Sequence, residues 1–148
     1  MRFPKSKRLL SNRQFKAVLG RNRRAADNLL TLFVAPNDSG SPRLGVSVGR
    51  KICGKATVRN RLKRLVREAF RQSQDRIPRG YDYVVMISPS LSNRIKQTEN
   101  PRKAWAALTF DQVQRSFLRL VEKVFGADRR DGPQSPERNQ RSKIEDQN

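Results

Sequence analysis

Several features are scarce in this 148-residue chain, and each scarcity excludes a class of protein. Histidine is absent, which excludes a histidine-dependent ribonuclease or triad hydrolase, because histidine is the commonest general acid or base at neutral pH. Cys53 is the only cysteine, which excludes an internal disulfide and a zinc site built on cysteine pairs. No stretch approaches the ~20 apolar residues that span a bilayer, and residues 1–10 lack the apolar core of a secretory signal. We therefore expect a cytoplasmic protein with no membrane partner.

Acidic residues are also scarce, with 13 Asp and Glu against 33 Lys and Arg, so the formal net charge is +20. The excess lies in two regions. Residues 1–24 hold nine basic and no acidic side chains, and residues 50–71 hold nine basic and one acidic, whereas residues 127–148 hold five of each. A compact chain with this charge repels itself unless an anionic partner neutralises it. Nucleic acid fits best, because each phosphate that Lys or Arg neutralises releases condensed counterions.

The few carboxylates before residue 127 are scattered, and successive ones from Asp27 to Glu122 are at least seven positions apart. Cleavage of a phosphodiester by two metal ions needs clustered carboxylates. A self-sufficient nuclease is therefore disfavoured. Two functions remain open on these grounds: an accessory subunit of a catalytic RNA, and a ribosomal or nucleoid protein that binds RNA or DNA without catalysis.

Hydrophobic periodicity predicts a short series of helices and strands. Ser11 with Gln14 and Thr109 with Gln112 have the spacing of capping boxes, and Gly126 offers a helix stop. We expect helices at about 12–19, 57–72 and 109–126, and strands at 29–35, 43–49 and 81–87. This order predicts a small two-layer α/β (α+β) sandwich, in which a small central sheet carries packed helices. The domain would occupy residues 1–126 with a loop excursion at 88–108, and residues 127–148 would form a disordered polar tail.

One helix concentrates the positive charge. At 100° per residue, Val58, Leu62, Leu65 and Ala69 form an apolar stripe, and the opposite side carries a set of polar and basic residues: Asn60, Lys63, Arg64, Arg67 and Arg71, with Arg59 and Arg61 on the flanks. A solvated helix face usually mixes charges of both signs at i,i+4 spacing, yet Glu68 is the only acid here. Arginine also predominates, which suits bidentate recognition of phosphate. The pattern favours a phosphate-binding face.

The run from Arg50 to Glu68, centred on Arg59-Asn60-Arg61, resembles the signature of the bacterial ribonuclease P protein family. Segments 8–15, 29–34, 43–51 and 80–85 occur in the family's order and spacing, so the resemblance covers about 8–88 and 109–126. It implies the protein subunit of an endoribonuclease whose catalytic RNA removes the 5′ leader of precursor tRNA. It also implies Mg²⁺ held mainly by that RNA, a protein that is not catalytic alone, and a left-handed βαβ crossover, against the usual right-handed rule.

The resemblance further implies two RNA surfaces. The residues expected to bind the RNA subunit are Arg50, Lys51, Lys55, Arg59, Asn60, Arg61, Lys63, Arg64 and Arg67. A cleft between the first helix and the sheet would hold the leader, with Phe15, Leu19, Phe33 and Ser47. Aromatic rings stack bases without demanding a sequence, and Leu19 stands where many members carry Phe, which weakens stacking there. For Phe15 an ordinary core position stays equally open. The 89–108 excursion is longer than is usual in the family.

Overall fold

The structure is a computed structural model that describes residues 7–9, 11–50 and 54–130, with side chains through Gly126. The helices are α1 (Asn12–Gly20), α2 (Ala56–Gln72), α3 (Pro89–Lys96), α4 (Pro101–Ala106) and α5 (Phe110–Arg130). The strands are β1 (Arg24–Ala26), β2 (Leu30–Pro36), β3 (Arg43–Ser47) and β4 (Tyr81–Ile87). Both predicted capping boxes are present, since Ser11 and Gln14 exchange hydrogen bonds at α1, and Thr109 and Gln112 do so at α5.

The four strands form one mixed sheet in the order β1-β2-β4-β3. Strand β2 pairs antiparallel with β1 and with β4, whereas β3 pairs parallel with β4 and is connected to it through α2. The mixed α+β fold with a small central sheet is thus confirmed, together with a β3-α2-β4 crossover. The left-handed sense of that crossover stays a prediction of the family resemblance.

One face of the sheet carries the larger core. Leu30, Leu32 and Val34 of β2 point to this face, where α2 and α5 pack, as the alternation along the strand predicts. Tyr83 lies at the centre, with its ring edge-on to Phe70 at 5.8 Å and to Phe117 at 6.2 Å between centroids. Its hydroxyl donates to the carbonyl oxygen of Pro78 at 2.6 Å. Burial raises the pKa of Tyr83, so the phenol stays protonated and the hydrogen bond persists.

The opposite face carries a smaller core under α1. Val18 of this helix is fully buried against Phe33 and Ala35 of β2 and Val84 of β4, and Leu9 completes the cluster. The main chain of the N-terminal segment pairs with the outer edge of β3, where the Leu9 nitrogen donates to the Leu44 oxygen at 2.9 Å. The sheet therefore separates two environments, and α1 and α2 lie on opposite sides of it.

The 88–108 segment is not a loop excursion, because it folds into α3 and α4. Pro89 and Pro101 each begin a helix, the position where a missing N–H costs nothing, and Asn100 caps α4 by accepting from the Lys103 nitrogen at 3.1 Å. Four large side chains join this segment to the larger core: Leu91, Ile95, Trp105 and Leu108. In the sequence, the i,i+4 pair Leu91 and Ile95 is the pattern that indicates a helix here. A single such pair is too short to distinguish a helix from a loop.

Two further boundaries differ from the sequence prediction. Helix α5 continues through Gly126 and ends at Arg130, because one interior glycine costs only about 1 kcal/mol and does not by itself end a long amphipathic helix. Strand β1 was not predicted, since three residues show no alternation.

Residues 131–148 lie outside the described residues, so the disorder of the tail stays a prediction. Within the described part of the chain, no helix is long and apolar enough to cross a membrane.

Candidate RNA interface

Helix α2 presents a continuous basic surface to solvent. Leu62, Val66, Ala69 and Phe70 are buried, so the rotation of the helix is fixed by its apolar stripe. The opposite side follows from the same geometry: Asn60 and Arg64 are exposed, whereas Lys63, Arg67 and Arg71 are half-buried, with their stems against the protein. The structure thus brings together Asn60, Lys63, Arg64 and Arg67 of the predicted surface on one face of a single rigid element.

The two arginines that flank Asn60 are already engaged in the protein. The Arg59 Nη1 donates to the Gly54 oxygen at 2.9 Å. Arg61 donates from Nη1 to the Trp105 oxygen at 3.2 Å and from Nη2 to the Leu108 oxygen at 2.7 Å. Arg61 therefore ties α2 to the end of α4 and keeps only its remaining donors for a ligand. Sequence alone does not reveal this tie, because its acceptors are main-chain atoms 44 and 47 residues away.

One flank of α2 gains charge from the N-terminal segment. Arg8 lies beside β3, and burial together with the positive charge of Arg8 lowers the pKa of Arg67. The two like charges repel each other, and an anion bound beside them would offset the repulsion. This pair was missed by the sequence reading, because residues 8 and 67 meet only through the packing of β3 against α2. Lys7 fixes the same segment by donating to Gln74 Oε1 at 3.0 Å.

The only acidic side chain of α2 is neutralised locally. Hydrogen bonds from Arg71 and Gln72 lower the pKa of Glu68 to about 2, so this carboxylate stays ionised and paired with Arg71. The basic face therefore keeps its net positive charge through Lys63, Arg64 and Arg67. Of the other predicted contacts, Arg50 and Lys55 are exposed in the segment that leads into α2, and Lys51 lies outside the described residues.

The second predicted surface lies between α1 and the sheet. The ring of Phe15 rests directly on Gly45, where an added Cβ would come within 2.6 Å of the Phe15 Cζ. Gly45 is therefore required for this ring position, which gives a physical reason for the small face of β3. Phe15 and Leu19 are half-buried at the edge of the smaller core, so both keep part of their surface open. Ser47 follows Gly45 by two residues on β3, pairs with Met86 of β4, and is also half-buried.

Phe33 is less accessible than the sequence reading assumed, at 9% exposure. It pairs across the strands with Arg24, whose guanidinium lies over the ring at 5.8 Å from the centroid. Because directly opposite residues of paired strands share a face, Arg24 belongs to this cleft. The sequence reading missed Arg24, since β1 has no recognisable strand pattern. The cleft thus combines two rings, an aliphatic side chain and one exposed arginine.

The buried Asp82 and the half-buried Asp27 are engaged in internal hydrogen bonds. Asp27 accepts from the Leu29 and Leu30 nitrogens at 2.8 and 2.9 Å and from Ser116 Oγ at 2.7 Å. Burial opposes its ionisation, but these bonds and Arg119 outweigh that cost and lower the pKa of Asp27. Asp82 accepts two hydrogen bonds from Arg43, at 2.8 and 2.9 Å. Among the residues that the structure describes, no three acidic, cysteine or histidine side chains are grouped to hold a metal ion.

Comparison with known proteins identifies the family. The family described as Ribonuclease P matches residues 3–124. The chain belongs to the ribonuclease P protein family. A relative named "Ribonuclease P protein component" from Clostridium kluyveri is 44% identical over 119 residues, which cover 79% of this chain and 93% of the relative. One from Haemophilus influenzae (strain PittGG) is 37% identical over 123 residues, covering 83% and 97%.

Solved structures agree with this family. The ribonuclease P protein of Thermotoga maritima is 32% identical, with a TM-score of 0.63 over 78% of this chain and 96% of that chain. A Staphylococcus aureus ribonuclease P protein shares the fold at 23% identity, with a TM-score of 0.60 over 80% of this chain and 94% of that chain. The prediction of a protein subunit of the ribonuclease P endoribonuclease is thus confirmed. Between the two functions that the composition left open, family membership decides against a ribosomal or nucleoid protein.

Proposed function

We propose that the chain binds the catalytic RNA of ribonuclease P through the solvent face of α2 and holds the 5′ leader of precursor tRNA in the cleft under α1. Its role is then to assist the endonucleolytic removal of the leader in tRNA maturation, in the cytoplasm where precursor tRNA is made. The observation that carries this proposal is the separation of the two surfaces. A basic helix lies on one side of the sheet, and a small aromatic cleft lies on the other.

The α2 surface suits an RNA backbone. Its exposed side chains offer bidentate guanidinium groups and an ammonium group on one helix face, and the one acid is paired with Arg71. A phosphate beside Arg67 and Arg8 would offset both the burial of the Arg67 guanidinium and the repulsion from Arg8, which together lower the pKa of Arg67. Rigid presentation on a packed helix reduces the conformational entropy that binding would otherwise cost.

The cleft suits single-stranded RNA. A base held between α1 and the sheet would stack on the exposed part of Phe15 or on the guanidinium plane of Arg24, which lies over the nearly buried ring of Phe33. Both kinds of group stack on any base, so the cleft would accept leaders of varied sequence. Arg24 can also pair with a leader phosphate, which stacking side chains alone do not offer.

The hydrolysis itself is assigned to the RNA subunit, with Mg²⁺ held mainly by that RNA. The protein's contribution is positioning and charge neutralisation. This division is supported by the commitment of Asp27 and Asp82 to internal hydrogen bonds and by the lack of histidine. A ligand for Mg²⁺ from the protein would need an acidic side chain that is not already paired in this way.

Reconstitution tests this function. The protein is incubated with a ribonuclease P RNA and a precursor tRNA at low Mg²⁺, and release of the 5′ leader is followed on a gel. We expect leader release that neither the protein alone nor the RNA alone gives under these conditions. Cleavage by the protein without RNA, or no stimulation of the RNA by the protein, would overturn the proposal.

A further inference from the structure

A groove of about 330 Å³ lies where α4 packs beside the start of α2. Its lining residues are Gly54, Lys55, Val58, Pro101, Arg102 and Trp105. Two of them, Lys55 and Arg102, are exposed cations contributed by the two different walls. The other side chains are apolar, and no acidic residue is among them. The groove therefore combines a positive rim with an apolar floor.

Internal hydrogen bonds fix both walls of the groove. Arg61 joins α2 to the end of α4 through the main-chain oxygens of Trp105 and Leu108. Arg59 holds the segment before α2 through the Gly54 oxygen. Asn100 caps the first turn of α4. Because these bonds exist in the protein alone, the main chain that carries the two cations is already placed, and only their side chains would become ordered on binding.

The chemistry of this groove matches a segment of nucleic acid backbone. The planar fork of Arg102 can donate two hydrogen bonds to two oxygens of one phosphate, and the ammonium group of Lys55 offers a second point of positive charge. Val58, Pro101 and the small exposed part of Trp105 provide apolar surface against which a ribose can pack. A small apolar metabolite would form no ion pair with Lys55 or Arg102. An acidic peptide would pair with both cations but would bury little apolar surface against the floor of the groove.

We propose that the groove between α2 and α4 binds one backbone segment of the catalytic RNA and so extends the RNA-binding surface of α2 onto α4. This inference rests on the proposed function of α2. The catalytic RNA is favoured over precursor tRNA, because Lys55 directly precedes α2 and α4 packs on the α2 side of the sheet, opposite the leader cleft.

Arg102→Ala tests the groove, and Lys103→Ala is its matched control. Lys103 is exposed on the same short helix and does not line the groove, so both variants lose one charge from α4. Affinity for ribonuclease P RNA is measured without tRNA over a salt series. We expect Arg102→Ala to weaken binding several-fold and to lower the slope of log affinity against log salt by about 1, as the loss of one phosphate contact does. Lys103→Ala should leave the slope unchanged.

Arg64→Ala on the exposed face of α2 separates failure of this inference from failure of the proposed function. If Arg64→Ala lowers the slope and Arg102→Ala does not, the groove binds no RNA. If neither changes it, the proposed α2 surface is wrong as well. Equal losses in Arg102→Ala and Lys103→Ala would show that only the overall positive charge of α4 matters, and would overturn the inference. If Arg102→Ala weakens only the binding of precursor tRNA to the assembled enzyme, the groove binds the substrate and not the catalytic RNA, and the inference is overturned.

Trp105 supplies a second measurement. It is the only tryptophan, and it lines the groove at 4% exposure, so its fluorescence reports this place alone. We expect a saturable change in its emission when ribonuclease P RNA is added to the unaltered protein. The change should require higher RNA concentrations in Arg102→Ala and the usual concentrations in Lys103→Ala. Unchanged emission at saturating RNA would contradict the proposal.

Discussion

The solvent face of α2 and the cleft under α1 differ in how they are built. The α2 face draws its charges from one helix and keeps them on a surface that packing has already oriented. The cleft draws Phe15, Arg24, Phe33 and Gly45 from four different elements, of which Phe33 and Gly45 are buried, Phe15 is half-buried and Arg24 is exposed. The first surface suits Coulombic contact with phosphates, which salt weakens, and the second suits stacking, which salt affects little. One protein can thus bind the catalytic RNA through charge–charge contacts and the leader through stacking.

Removing charge from α2 should give the largest effect. In the Lys63→Ala, Arg64→Ala double variant we expect assembly with the catalytic RNA to weaken strongly and the salt slope to fall by about 2, because two phosphate contacts are lost. Alanine is compatible with the helix, so the fold should persist. Binding to the RNA over a salt series measures both quantities. The charge-matched control is Arg79→Ala with Lys123→Ala, two exposed positions away from this face, and a similar slope change there would contradict a localised surface.

Removing a ring from the cleft should have a smaller and different effect. Phe15→Ala should spare assembly but cost about 1–3 kcal/mol in binding leader-bearing precursor to the assembled enzyme, the size of one base–aromatic stack. Mature tRNA, which lacks the leader, should bind as before. Phe33→Ala is a poorer probe, because Phe33 is almost buried and its truncation would cost about 3–5 kcal/mol of folding free energy. Equal losses of affinity for precursor and mature tRNA in Phe15→Ala would show that Phe15 is a structural core residue that does not stack on the leader.

The same contrast explains what sequence could predict. Periodicity found α1, α2, β2, β3, β4 and α5 to within a few residues, because each carries an apolar face of its own. The α2 surface was predictable for the same reason, since a helix places its side chains by spacing alone. The leader cleft was predicted only through the family resemblance. Arg24 over Phe33, Arg8 beside Arg67 and Arg61 on the end of α4 all depend on long-range packing, which periodicity does not encode.

Arg61 should behave differently from Arg64 although both belong to the basic helix. Arg61→Ala removes the hydrogen bonds to the Trp105 and Leu108 oxygens, so we expect a loss of about 1–3 kcal/mol in the free energy of unfolding. Arg64→Ala should leave that free energy nearly unchanged, because Arg64 is exposed. Urea unfolding of the two variants without RNA measures the difference. Equal stability of both would show that the tie to α4 contributes nothing.

Glu68→Gln should give the smallest effect. The pKa of Glu68 lies at about 2, so the carboxylate stabilises the fold at neutral pH, and this contribution is lost as the pH falls from the usual value of about 4.5 towards 2. The pair with Arg71 is partly exposed, so its loss should cost at most about 1 kcal/mol. RNA binding should become slightly tighter, because one negative charge leaves the basic face. Stability of the variant at pH 7 and at pH 3 checks the sign, and a larger difference from the unaltered protein at pH 3 would contradict it.

The most direct test of two separate surfaces measures assembly affinity and the precursor-to-mature affinity ratio in the same set of proteins. The set contains the unaltered chain, the Lys63→Ala, Arg64→Ala variant, Phe15→Ala, and all three substitutions combined. We expect the charge variant to change only assembly and its salt slope, Phe15→Ala to change only the precursor-to-mature ratio, and the combined variant to show both losses additively. If each change alters both quantities to the same degree, the two faces of the sheet do not divide the RNA between them.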